Sequence, residues 1–413
     1  MLTDTKRWAV GVRVGMLFAR MGCEVGMLCP SKGHPAYTVE SIRRRYVHRG
    51  LFPLKSLRAA MADFDPHLVL PTCDRGVQQL HRLYEEAKDK GHRRTMECIR
   101  RSLGPSASFS IVSDRYDLLM LAAEEGIAIP ETVALESVKD LQRAGRIGLP
   151  LVIKATGTWG GTGVEIAASE AQAVRAFRKL MGRRGPLWLA KELLLNRDRG
   201  NTLHDWRHAQ PSLIAQRWID GHPANCAVAC VDGKVLATVA VEVLATNRNC
   251  GPASLVEVVP GREMVAAAGR IARKLNLSGF FGLDFMIERA TGALYLIEMN
   301  PRCTQAAMLA LGTGHNLPMA MCASLTGRQE PESEPVTQLR RIAFFPKPPG
   351  LADSDTSTPE RSYYYDLPAN EPAFVARMLD QWPDRGRLGR GLDWTRRFAK
   401  GLRAGRLHPA EQR

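Results

Sequence analysis

Two apolar segments, 281–287 and 293–300, flank the short loop Ala290-Thr291-Gly292, and this pairing constrains the chain more than any other feature. A three-residue loop with glycine last is a common hairpin connection, a type I turn followed by a left-handed residue. Counting outward from Thr291 sets Asp284 opposite Glu298, with Asn300 two residues further along the same face. The reverse face is expected to be continuously apolar, with Phe281, Leu283, Phe285 and Ile287 on one strand and Tyr295, Ile297 and Met299 on the other. Opposed carboxylates with Cβ atoms about 5 Å apart repel and destabilise a strand pair unless a cation sits between them. Two carboxylates and an amide oxygen suit Mg²⁺, which prefers oxygen ligands and often completes its shell with substrate phosphates. A solvated pair of acids is the plainer alternative. Arg302, just past these residues, suits a developing phosphate or acyl-phosphate charge, with a simple salt bridge as the competing reading.

Upstream, the apolar strand 149–155 runs into a glycine-rich loop, Thr156-Gly157-Thr158-Trp159-Gly160-Gly161-Thr162-Gly163, and a second strand, Val164-Glu165-Ile166-Ala167. Strand, glycine loop, strand is a hairpin flap. It is neither the strand-to-helix turn of a dinucleotide fold nor a Walker loop, which also needs Gly-Lys-Ser/Thr. Lys154 at the end of the first strand, opposite free backbone N–H groups, is a plausible holder of polyphosphate. A helix capped by Ser113 or Asp114 is expected to run to Glu125, and others over 54–63, 77–90 and 263–275. Strands are expected over 23–29, 66–71, 213–219, 226–231 and 234–243, the last two joined by the turn Asp232-Gly233. Alternating helices and strands in the first hundred residues indicate a small doubly wound α/β domain whose first strand is very short or missing.

The 413 residues allow two to four compact units, and 45% hydrophobic with 24% charged residues is ordinary globular composition. No uninterrupted apolar run of about 18 residues and no secretory signal is visible, so a cytoplasmic protein without a membrane span is expected. The nine cysteines are scattered without a Cys-x-x-Cys pair and read as reduced thiols. The net charge of +15 raises a polyanion as a partner. Part of it is local: Arg385–Arg413 holds nine Lys/Arg against two acids, and smaller clusters lie at Arg43-Arg44-Arg45 and around Arg93-Arg94 and Arg100-Arg101. No nucleic-acid-binding signature accompanies them, so solvated faces are preferred and nucleic acid is not expected as a partner.

Lys154 with Gly160-Gly161-Thr162-Gly163, then Gln216-Arg217-Trp218-Ile219-Asp220-Gly221, Gly282-Leu283-Asp284-Phe285 and Ile297-Glu298-Met299-Asn300-Pro301-Arg302 follow one another in the order and spacing of a known family. In these motifs the sequence resembles the ATP-grasp superfamily, most closely the members related to the carbamoyl phosphate synthase large chain and to carboxylate-amine ligases. The resemblance implies a mixed α/β and α+β chain with an N-terminal doubly wound pre-ATP-grasp domain (1–105) and a lid subdomain carrying the glycine-rich loop (106–212). A mixed-sheet metal and nucleotide subdomain (213–326) and a C-terminal extension with a basic tail (327–413) complete it. It implies a ligase that moves the γ-phosphate of ATP to a substrate carboxylate and lets an amine or related nucleophile attack the acyl phosphate, releasing ADP and phosphate. ATP and Mg²⁺ or Mn²⁺ are the implied cofactors, a small carboxylate and an amine the substrates, and a homodimer is compatible with the resemblance.

Carried over by position, the catalytic candidates are Lys154, which would touch the α- and β-phosphates and the adenine, and Arg302, which would steady the transferred phosphoryl group. Arg115, Lys154, Gly160, Gly161, Thr162 and Gly163 would contact the phosphates, and Gln216 with the backbone of Arg217 and Ile219 would read the adenine edge. Asp284, Glu298 and Asn300 would bind the metal. Three positions depart from the family: Arg115 stands where a lysine is usual, Gln216 replaces the more frequent glutamate, and Pro223 stands where a ribose-binding acid often occurs, leaving Asn225 as the substitute. No duplicated half, glutamine-hydrolysing domain or biotinyl segment is seen. For the acceptor pocket, 246–254 with Arg248 and the pair Asp74-Arg75 are candidates of equal standing. A catalytically silent ATP-binding scaffold and a polyanion-binding protein using the basic tail are the readings outside catalysis.

Overall fold

The computed structural model describes residues 1–5, 9–156, 163–182, 212–246, 251–346 and 363–380. The N-terminal sheet comprises β1 (Leu2–Thr3), β2 (Val25–Cys29), β3 (Ile42–Val47) and β4 (Leu70–Pro71), all parallel, in the order β3-β2-β1-β4. β1 is two residues long, as the sequence implied. α1 (Ala9–Arg20) joins β1 to β2 and α2 (Pro53–Phe64) joins β3 to β4, and α3 (Asp74–Asp89) and α4 (Arg93–Leu103) follow β4. β3 holds Arg43, Arg44 and Arg45, so one basic cluster forms an edge strand. The other lies on α4, whose Cys98, Ile99 and Leu103 are buried while Arg100 pairs outward with Glu97 at 2.9 Å.

α5 (Phe109–Ser113) leads into α6 (Arg115–Glu124), capped by Asp114, whose Oδ1 accepts from the amides of Tyr116 at 2.8 Å and Asp117 at 3.0 Å. Such a cap satisfies two of the N–H groups that a helix start leaves unpaired. A small antiparallel sheet comes next, built from β5 (Thr132–Leu135), β6 (Leu151–Ala155), β7 (Val164–Ala167) and β8 (Leu213–Arg217) in the order β5-β8-β6-β7. α7 (Asp140–Ala144) and α8 (Glu170–Met181) accompany it, and Ser169 caps α8. β8, just past the expected boundary at 212, pairs with both β5 and β6.

The largest sheet has seven strands in the order β13-β12-β9-β10-β11-β14-β15. They are β9 (Gly221–Val231), β10 (Lys234–Thr246), β11 (Ala253–Val258), β12 (Gly279–Glu288), β13 (Leu294–Asn300), β14 (Arg341–Phe344) and β15 (Tyr364–Asp366). α9 (Arg262–Leu275), α10 (Leu317–Thr326) and α11 (Pro372–Asp380) complete the described elements. Asp232 (φ 45°) and Gly233 (φ 77°) form the β9–β10 turn, and both are in the left-handed region that a type I′ turn demands. The segment after Thr326 is not a separate extension. β14 and β15 lengthen the sheet, and Asp366 is bolted to α1 by Arg13 at 2.6 Å. The basic tail lies outside the described residues.

One face of the large sheet, with Ala227, Val239 and Val241, shares a core with Val10, Val14 and Phe18 of α1. The other, with Phe281, Leu283 and Phe285, packs on Leu118 and Leu119 of α6 and Ile271 of α9. Each fully buried side chain of this size contributes about 1.5–3 kcal/mol, which makes β12 a rigid platform. Among the described residues no helix is long and apolar enough to cross a membrane.

Candidate active site

β12 and β13 pair as expected from the sequence at the positions that carry the acids: Gly282 with Asn300, Leu283 with Met299, Asp284 with Glu298. Nearer the turn the register slips by one, with Phe285 facing Leu296, so Ile297 is the extra residue of a β-bulge. The expected apolar face is therefore corrected beyond Met299. Leu296 and Leu294 point into the core with Phe285 and Ile287, whereas Tyr295 pairs with Met286 on the carboxylate side.

Five side chains form one hydrogen-bonded row that runs from β9 through β12 and β13 to α3. Asn225 Nδ2 on β9 donates to Asp284 Oδ1 at 2.7 Å, and Asn300 Nδ2 donates to Asp284 Oδ2 at 3.0 Å. Arg302 Nη2 donates to Asn300 Oδ1 at 2.8 Å, and Arg302 Nε donates to Asp74 Oδ1, on the first residue of α3, at 2.9 Å. Glu298 is held separately by Arg115 Nη2 at 2.5 Å, while Arg115 Nη1 donates to the carbonyl of Ala155 at 3.0 Å. Arg115 thus joins α6, the small sheet and the carboxylate pair.

Burial, and then the Glu298 charge opposite, push the Asp284 carboxyl up to about 6, against lowering by Arg302, Asn300 and Asn225. Burial opposes the charge of Arg302, but the Asp74 carboxylate outweighs it and holds the guanidinium above its ordinary value. A buried carboxylate with a second one opposite it across a strand pair is a place that gains by binding a cation. Asp284, Glu298 and the Asn300 amide oxygen give the all-oxygen set that suits Mg²⁺.

The small sheet lies over this face. Lys154, buried on β6, points its Nζ at the carbonyl of Ile297, 3.5 Å away. Gln216 on β8 is also buried; its Nε2 donates to Thr132 Oγ1 at 3.1 Å, while its Oε1 has no hydrogen-bond partner among the described residues. That orphaned acceptor fits the exocyclic amine expected of adenine. The amide of Arg217 donates to the carbonyl of Glu131 at 2.9 Å, which leaves its carbonyl as the backbone group for the expected adenine contact. Its guanidinium lies over the Tyr295 ring at 5.2 Å and pairs with Glu288. Ile219 is buried beyond the end of β8. The Asn225 side chain donates to Asp284, which places it beside the acids.

Gly163 lies at the start of β7, and its carbonyl accepts from the amide of Ala155 at 2.9 Å. Gly160, Gly161 and Thr162 lie outside the described residues, as does Arg248. A cleft of about 540 Å³, open to solvent, is lined by Asp74, Gln78, Ser113, Arg115, Thr156 and Glu298. Of the two acceptor candidates the structure brings Asp74 into the site. Its role as partner of Arg302 was not foreseen, although its place beyond the carboxyl end of a parallel strand was the available signal.

Residues 114–323 match the family described as carbamoyl-phosphate synthase L chain, ATP binding domain. The chain belongs to this family. Its curated relatives include the carbamoyl phosphate synthase large chain of Rubrobacter xylanophilus, 26% identical over 240 residues, which are 53% of this chain and 21% of that protein. The chain thus spans about a fifth of the length of the curated relatives it matches. Among solved structures, N5-carboxyaminoimidazole synthetase from Staphylococcus aureus, complexed with ADP, is similar with a TM-score of 0.56 at 15% identity. That match covers 80% of this chain and 77% of the synthetase. The biotin carboxylase domain dimer of Hydrogenobacter thermophilus 2-oxoglutarate carboxylase, with MgADP and bicarbonate, gives 0.55 at 14% identity over 81% and 71%. These likenesses establish the ATP-grasp fold.

Proposed function

We propose that this family member is an ATP-dependent ligase that joins a small carboxylate to an amine or related nucleophile through an acyl phosphate. The observation that carries the reading is the row Asn225–Asp284–Asn300–Arg302–Asp74 with Glu298 beside it, facing Lys154 and Gln216 across the space under the small sheet. Phosphoryl transfer needs positioning and charge neutralisation more than covalent chemistry from the protein, and this array supplies both. The ligands bound in the structural relatives, ADP and MgADP, support the same reading, and a dimer like that of the biotin carboxylase domain is compatible with it.

In this reading Gln216 accepts from the adenine amine, Lys154 and Arg115 meet the phosphates, and Asp284, Glu298 and Asn300 hold Mg²⁺. A metal held by Asp284, Glu298 and Asn300 would supply neutralisation of phosphate charge. A carboxylate oxygen of the substrate attacks the γ-phosphorus, the bond to the β–γ bridging oxygen breaks, and ADP leaves. Arg302 lies beside the acids to stabilise the charge on the transferred group. The nucleophile then attacks the acyl carbon, loses a proton, and expels phosphate.

The test incubates the protein with Mg-ATP, a panel of amino acids and other carboxylates, and hydroxylamine, reading ADP and hydroxamate together with Glu298→Gln as blank. Carboxylate-dependent ADP with hydroxamate supports the acyl phosphate. Hydroxamate at the level of the blank, with no nucleotide binding, would refute the reading.

A further inference from the structure

Arg302 is anchored from two sides, and the two anchors differ in permanence. One is Asn300 Oδ1, which accepts from Nη2 at 2.8 Å. The same amide oxygen is the atom Asn300 has to offer a cation, because its Nδ2 is occupied with Asp284. Turning that oxygen toward a metal weakens its hold on Arg302. The other anchor, Asp74, has no such competing duty. It sits 228 residues away at the start of α3, where the helix N-terminus favours its negative charge, and it meets Nε at 2.9 Å. The third donation, from Nη1 to the carbonyl of Cys303 at 3.4 Å, is at the weak end of hydrogen-bond geometry.

We propose that Asp74 is a positioning residue, supplied by the N-terminal domain, that holds the Arg302 guanidinium against the γ-phosphate of a bound nucleoside triphosphate when the metal draws Asn300 away. The inference rests on the ATP-binding part of the proposed function and goes beyond it, because it makes the N-terminal sheet part of the nucleotide site. The geometry suits the role: a single Asp–Nε contact leaves the Nη edge of the guanidinium for phosphate oxygens, and Asp74 and Glu298 line the same open cleft.

The test compares the affinities of MgADP and of a non-hydrolysable MgATP analogue by calorimetry, for the wild type and for Asp74→Asn and Asp74→Glu. The wild type is expected to prefer the triphosphate. Asp74→Asn should reduce that preference about tenfold, the loss of one hydrogen bond between charged groups, with ADP affinity unchanged; Asp74→Glu, which keeps the charge, should restore part of it. A merely structural contact would lower both affinities together or neither. An unchanged preference in a folded Asp74→Asn overturns the proposal, and so does unfolding of both variants, which would make Asp74 a structural residue. If the wild type binds neither nucleotide, the proposed function fails first and the positioning role falls with it. Binding of ADP and triphosphate with equal affinity by the wild type removes the positioning role alone.

Discussion

Ile297, the extra residue of the bulge in β13, turns its carbonyl toward the Lys154 ammonium 3.5 Å away, across the gap between the large and small sheets. Bulges re-aim backbone groups that a regular ladder would consume, and this one supplies an acceptor to a buried lysine. Replacing Lys154 with Met removes a buried charge and keeps the apolar stem, so stability should hold or rise slightly. Nucleotide affinity should drop by roughly ten- to a hundredfold, the worth of a hydrogen bond to a charged group. Calorimetric titration with MgADP beside a melting curve separates the two effects; affinity equal to the wild type would remove Lys154 from the phosphate site.

The acids make a second prediction. Because Asp284 and Glu298 are opposed and Asp284 is pushed toward neutrality, adding Mg²⁺ to the ligand-free protein should raise its melting temperature, and chelation should reverse the rise. In Asp284→Asn and in Glu298→Gln the increment should vanish. A Mg²⁺-dependent rise that survives both substitutions would mean that the metal binds elsewhere.

How far the sequence revealed this site can be argued residue by residue. Counting from the loop Ala290-Thr291-Gly292 gives the observed Asp284–Glu298 pairing, but beside the loop the register is one residue off that count, with Ile287 facing Leu294, and the bulge at Ile297 brings it back at the acids. The bulge at Ile297 was not legible, since it depends on how β13 meets the small sheet and α6, contacts distant in sequence. It is also why Tyr295 was placed on the wrong face. β3 was missed because three consecutive arginines hide the alternation of a strand whose Ile42 is buried and whose outer edge faces solvent. β14 and β15, four and three residues long, sit among prolines and acids and gain their strand character from the sheet they extend. Asp74 and Arg302 each stood out, but no local rule connects residues 228 apart.

The joint between the N-terminal domain and the large sheet gives a stability prediction. Gly279, where β12 begins, has φ +87°, and a Cβ there would lie 1.9 Å from the carbonyl oxygen of Ser102 on α4. Gly279→Ala should therefore cost about 3 kcal/mol or more through backbone strain and displacement of α4. Gly269, inside α9, has nothing within 4 Å of the same position, so Gly269→Ala should gain about 0.5–1 kcal/mol. Denaturant midpoints of the two variants, expected to move in opposite directions, check both statements. A mild Gly279→Ala would show that the α4 contact is slack.

His81 on α3 gives the last prediction. Its ring stacks on Phe109 with centroids 3.9 Å apart and planes 9° from parallel, and burial lowers its pKa to about 4. The unfolded chain takes up this proton near pH 6.5, whereas the folded chain refuses it until about pH 4, so the unfolded state binds more protons between those values. Stability from this group is therefore complete above about pH 6.5 and declines as the pH falls toward 4, by about 3 kcal/mol at most. His81→Phe keeps an aromatic partner for Phe109 and abolishes the titration. Its unfolding free energy, measured by denaturant at pH 7 and pH 5, should lose less on acidification than that of the wild type. Equal losses would mean that His81 is protonated in the folded protein as readily as in the unfolded one, and that the acid sensitivity of the chain originates in other groups.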